Sequence, residues 1–214
     1  RARYLAIQGA SDSAGQAARN AAAAEIDQLI ESVKQEANAS YGGRYVFSGT
    51  ATDTPPYTVA GADTYAGDTA AVAREIGPGV SVQVNVIGQS LLGDGQAAAD
   101  GKLLNVLRDL SDHLKSGTVA NMNTLRTADI KALDTNLDAI SQSRATVGAT
   151  TNRLESADSR LQQVEESLTK LLSDVEDADM AKTYTDFSMQ QSVYQSALRA
   201  GSNIVQQSLL DFLR

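Results

Sequence analysis

Ser111, Asp112 and His113 stand side by side, and their residue types are those of a hydrolytic triad. The run around them is helical in pattern, and consecutive helical residues point about 100° apart. They cannot line up as nucleophile, base and orienting acid, and His113 is the only histidine in the chain. His113 is therefore read as a surface helix residue. Asp174, Glu176, Asp177 and Asp179 form an acidic cluster, but they lack the spaced ligands and central glycine of a calcium-binding loop. They are read as carboxylates that cap and charge-complement a helix start. Gly77-Pro78-Gly79 lacks the following Lys-Ser/Thr of a phosphate loop and reads as a turn into a strand. The chain has no cysteine, so it has neither disulfides nor thiolate-bound metals. No catalytic, cofactor or metal residues are expected, and the chain is not expected to be an enzyme.

The elements around these residues are mainly helical. Hydrophobic residues make up 42% and aromatics only 5%, with no tryptophan, which suggests thin packing between helices rather than a thick core. The net charge of -8 disfavours nucleic acid and anionic membrane surfaces as partners. No apolar run approaches the length of a membrane span, and no cleaved signal peptide is seen.

Four segments are expected. Residues 1–43 are an Ala-rich rod helix, with Ile26, Leu29, Ile30 and Val33 at helical spacing and a stop at Gly42-Gly43. Residues 44–95 are a small β-rich insert that holds all three prolines. Val80, Val82, Val84 and Val86 alternate there with polar residues, and shorter strands are predicted at 45–47 and 57–59. Residues 96–175 return to helix. Leu133, Ile140, Val147, Leu154, Leu161, Leu168 and Val175 recur every seven residues, which is coiled-coil patterning. A straight helix over 123–175 is about 80 Å long at roughly 1.5 Å per residue. The second seam position is apolar at the ends (Ile130, Leu137, Leu172) and polar between (Arg144, Thr151, Asp158, Glu165). Such a helix needs a partner, and the Ala-rich helix is the candidate. Gly148 marks either simple tolerance or the close approach of a neighbouring helix. Residues 176–214 are a C-terminal assembly helix. Its stripe of Met180, Tyr184, Phe187, Tyr194, Leu198 and Val205, continued by Leu209, Leu210 and Phe212, has no obvious partner within one chain.

Gly43-Arg44-Tyr45-Val46-Phe47-Ser48-Gly49-Thr50, then Thr54-Pro55-Pro56-Tyr57, resembles the signature of the flagellar hook-associated protein 3 family. Tyr65-Ala66-Gly67-Asp68 and Ile76 to Val86 resemble its β region. Arg144 to Ala149, Val175 to Ala181 and Ser208 to Leu213 resemble segments shared with flagellins. The resemblance implies a structural junction protein between hook and filament, on a long antiparallel helical rod of the flagellin type. It implies export through the flagellar secretion apparatus to an extracellular place on the flagellum. The implied partners are copies of itself in a ring, a neighbouring hook-associated protein, flagellin and an export chaperone. The family pattern has a further helical segment upstream of Arg1, so assembly by this stretch alone is expected to be impaired. The Arg-x-Arg pair of flagellins recognised by innate immunity is not carried over, since Gln28 and Ile30 stand there. Two other readings stay open: flagellin itself, and a carbohydrate-binding module that stacks sugars on Tyr45, Tyr57 and Tyr65.

Overall fold

The computed structural model describes residues 1–176 and 179–212, with side chains of the last helix described through Ser202. The chain is mainly α with two small antiparallel strand pairs, and it divides into two compact units, residues 1–157 and 158–214.

In the first unit, α1 (Ala2–Ala10) and α2 (Gln16–Ala37) replace the single helix predicted over 1–41. The break falls at Ser11-Asp12-Ser13, whose side chains compete with helical backbone bonding. The Ser11 and Ser13 hydroxyls meet at 2.8 Å, and Arg19 donates to the Gly9 and Ser11 carbonyls that the helix end leaves over. Gly9 allows α1 to lie against Leu114, because a Cβ there would overlap the leucine side chain. The main partner of α2 is α4 (Leu103–Ser116), and not the long seam helix that the heptads suggest. Ala22, Ala23, Ile26 and Ile30 of α2 bury against Leu104, Leu107, Leu110 and Leu114 of α4. Small alanines facing large leucines let the two helices approach closely, and the leucines recur at the same helical period as the residues they meet.

Two hairpins follow α2. β1 (Ser40–Tyr41) pairs with β2 (Arg44–Tyr45), and β3 (Ala73–Gly77) pairs with β4 (Val80–Gln83) around the predicted Gly77–Gly79 turn. The valine strand ends earlier than its alternation predicts. Beyond Gln83 the Asn85 side chain takes over, accepting from Val72 N at 2.8 Å and donating to Ala70 O at 3.1 Å, so a side chain replaces ladder bonds. Only Tyr45 of the strand predicted at 45–47 lies in a ladder, and residues 57–59 form none. Pro55-Pro56 steer the chain into a turn, where Tyr57 is fully buried. Asn38 clamps both backbone polar groups of Tyr57, at 3.0 and 2.7 Å, and the phenol donates to Gly93 O at 2.7 Å. Burial pushes that hydroxyl pKa up. Tyr57→Phe strands the Gly93 carbonyl and is expected to cost about 1–3 kcal/mol in urea unfolding, with an unchanged m-value.

Helix α3 (Gly88–Leu92) and a 3₁₀ turn (Gln96–Ala98) lead into α4, which starts at Leu103 rather than near residue 96. Then α5 (Val119–Thr124), capped by Thr118, and a π-helical segment (Leu125–Asp129) open α6 (Ile130–Glu176), the long helix announced by the heptads. Helix α7 (Met180–Phe212) completes the second unit.

The insert is fixed to the helices by charge. Lys34 Nζ, fully buried, lies 3.1 Å from Asp63 Oδ1, 3.0 Å from Glu31 Oε1 and 3.0 Å from Gly61 O. Arg108 of α4 holds Asp63 from the other side with a two-pronged bond of 2.6 and 3.0 Å. Burial opposes the ionisation of Asp63, but the hydrogen bonds from Arg108 and Lys34 outweigh it and hold the carboxyl below its ordinary value. Glu31 and Asp27 are depressed in the same way, against burial, by Ala60 N and Lys34 and by Lys115 and Ser111 respectively. A folded pKa below the unfolded one contributes stability above the unfolded carboxylate range near 4, lost as pH falls through the lower folded values. A pH series of urea midpoints is therefore expected to drop steeply below about pH 4 in the native chain and less steeply in Asp63→Asn.

Candidate assembly surface

Asp179 starts α7, its Oδ1 accepting from Ala181 N at 2.9 Å and Lys182 N at 3.1 Å. This is the cap expected of the acidic cluster, whose Asp177 lies outside the described residues. From that start, Met180, Tyr184, Phe187, Tyr194 and Leu198 fall at spacings of three, four and seven, on one helix face. All are exposed, from 75% at Met180 to 56% at Leu198. Met189 and Val193 are also exposed, but the 100° turn per residue places them on the opposite side of α7, beside Lys182. The side chains of Val205, Leu209, Leu210 and Phe212 lie outside the described residues. Residues 180–202 carry only Lys182, Asp186 and Arg199 as charges. Thr185 and Ser196 return their hydroxyls to the carbonyls four residues back, at 2.8 and 2.9 Å. A helix with few charges and self-satisfied hydroxyls can be buried against another at little desolvation cost.

The seam of α6 divides along its length. Leu133 is buried in the core, and Ile140 is half-buried beside Leu29 and Val33 of α2. Val147 and Leu154 line an open groove under residues 83–87, together with Thr146, Thr150 and Thr151. The seam side chains there face the insert. A Cβ added at Gly148 would meet nothing within 4 Å, so no helix among the described residues approaches it. Leu161, Leu168 and Val175, in the second unit, are exposed, Val175 at 83%. Val164 and Leu171 join them, giving alternating steps of three and four. Those two residues escape a heptad pattern that places the second seam position four after each first one. In the second unit it lies three after, at Val164 and Leu171.

The triad residue types are dispersed. Ser111 Oγ donates to Asp27 at 2.8 Å, Asp112 accepts from Gln96 at 2.8 Å, and His113 Nδ1 lies 2.6 Å from Asp129. His113 is thus a half-buried tether between α4 and the π-helical segment, not a free surface residue. The tyrosines do not form a sugar platform either. Tyr57 is buried, and its ring packs against Tyr65 with centroids 5.6 Å apart. The Tyr65 hydroxyl lies 2.8 Å from Phe47 O and 2.9 Å from Asp68 O. Among the described residues there is no cluster of metal-ligating groups, and no helix is long and apolar enough to cross a membrane.

Residues 130–213 match the family of the bacterial flagellin C-terminal helical region. Flagellin of Bacillus subtilis is 30% identical over 138 residues, 63% of this chain, and the aligned stretch spans 45% of that flagellin. FlgL of Bacillus cereus is similar in structure, with a TM-score of 0.60 and 25% identity over 78% of this chain and 77% of that one. Flagellar hook associated protein-3 of Legionella pneumophila shares the fold, with a TM-score of 0.62 and 15% identity over 81% of this chain and 87% of that one. The family resemblance read from the residues is borne out.

Proposed function

With a flagellin C-terminal helical region at residues 130–213 and the fold of hook-associated protein 3 structures as premise, we propose that this chain is a structural component of the bacterial flagellum, the junction between hook and filament. The observation that carries the reading is the exposed apolar face of α7. In a chain of net charge -8, a face this apolar and poor in charge is suited to burial against other subunits. Copies assemble side by side in a ring through α7 and the second-unit seam of α6, with a hook-associated protein on one side and flagellin on the other. Before assembly, an export chaperone covers the same apolar face, and the flagellar secretion apparatus delivers the chain outside the cell. The insert and the helices it joins form one compact unit, and no step of catalysis is assigned to it.

Immunogold labelling of intact flagella tests the place. A single band where hook meets filament is the expected result. Label along the whole filament would identify a filament subunit instead.

A further inference from the structure

We propose that a second copy of this chain docks by inserting Tyr41 into the apolar groove between α2, α3 and α6. The groove has a volume of about 370 Å³, and its walls are Leu29, Val33, Phe47, Leu92, Leu103 and Ile140. Among the described residues, Glu36 is the one charged residue on its lining. The complementary feature is the β1–β2 hairpin. Gly42 and Gly43 have φ of 58° and 78°, the left-handed pair that a tight two-residue hairpin turn requires. This turn presents Tyr41 and Arg44 as directly paired neighbours. Tyr41 is 86% exposed, so the chain's own groove does not hold it. No side chain among the described residues pairs with Arg44 or with Glu36.

An apolar hole edged by one carboxylate fits an aromatic ring edged by one guanidinium. The hairpin offers both on a stiff turn, which lowers the ordering cost of binding. Arg44 of one copy then meets Glu36 of the next as the Tyr41 ring fills the hole. The occupant is a second copy because the proposed function sets copies side by side, and the inference rests on that reading. The hairpin contact is separate from α7 and adds a link between the first units of neighbours.

The absence of native cysteines makes crosslinking a clean test. Tyr41→Cys and Leu92→Cys chains carrying tags of different size are mixed and oxidised. The expected product is the mixed disulfide dimer, scarce when either variant is oxidised alone. Adding Arg44→Glu to the Tyr41→Cys chain lowers its yield about tenfold through like-charge contact at the rim, and Glu36→Arg on the Leu92→Cys chain restores it. Circular dichroism melts confirm that each variant is folded. Absence of the mixed dimer, or a yield indifferent to the charge swap, overturns the proposal. So does preferential capture of Leu92→Cys by Tyr194→Cys, which would seat α7 in the groove. Failure here leaves the immunogold band untouched, whereas a failed band removes the functional reading itself.

Discussion

Replacing Tyr184 and Phe187 with serine is expected to abolish assembly of the protein while leaving the thermal unfolding of its first unit unchanged. These side chains are 74% and 62% exposed, so the isolated chain draws little stability from them. On assembly they lose that contact with water. Fully burying a large apolar side chain contributes about 1.5–3 kcal/mol, so two together account for roughly 3–6 kcal/mol per contact. That corresponds to a loss of about 10²- to 10⁴-fold in association constant. Light scattering against concentration reads the loss, and circular dichroism checks the fold. Serine at exposed positions of the polar face, such as Lys182→Ser, should leave the assembly threshold nearly unchanged. If polar-face and stripe substitutions shift the threshold equally, the stripe is not the contact.

Asp63→Ala is expected to destabilise the first unit by about 3–5 kcal/mol, the usual cost of removing one partner of a buried ion pair. The carboxylate holds Lys34, which has no solvent exposure, and receives both prongs of Arg108. Without it Lys34 keeps only Glu31 and the Gly61 carbonyl. Adding Lys34→Met to Asp63→Ala should recover part of the loss, because the stranded buried charge is gone and its stem volume is kept. Urea unfolding of the four chains in the cycle measures this. A double variant no more stable than Asp63→Ala would show that the cost lies in the Arg108 contact instead.

Much of the architecture was legible in the residues. The seven-residue recurrence from Leu133 to Val175 announced α6, and the proline-rich stretch with its valine alternation announced a small β-rich insert between helices. What escaped had physical causes. Heptads give a helix a sticky face but do not name the partner, and the leucines of α4 matched the alanines of α2 better than the seam did. Helix propensity over residues 1–41 ignored the serines at 11 and 13, whose hydroxyls compete for backbone groups. Val84 and Val86 kept strand periodicity after Asn85 had taken over the pairing. Tyr57 had the composition of a strand residue, but the prolines before it set a turn, and its hydroxyl reaches a carbonyl 36 residues away. The salt-bridge cluster of Lys34, Asp63 and Arg108 joins three distant segments and has no local pattern at all. The apolar stripe of α7 was legible as a helix face, because its spacing of three, four and seven is visible in one dimension.

Electron microscopy of a strain lacking this chain decides whether it joins hook to filament. Cells with hooks but no filaments, and flagellin released into the medium, are the expected result. Normal filaments on those hooks would contradict it.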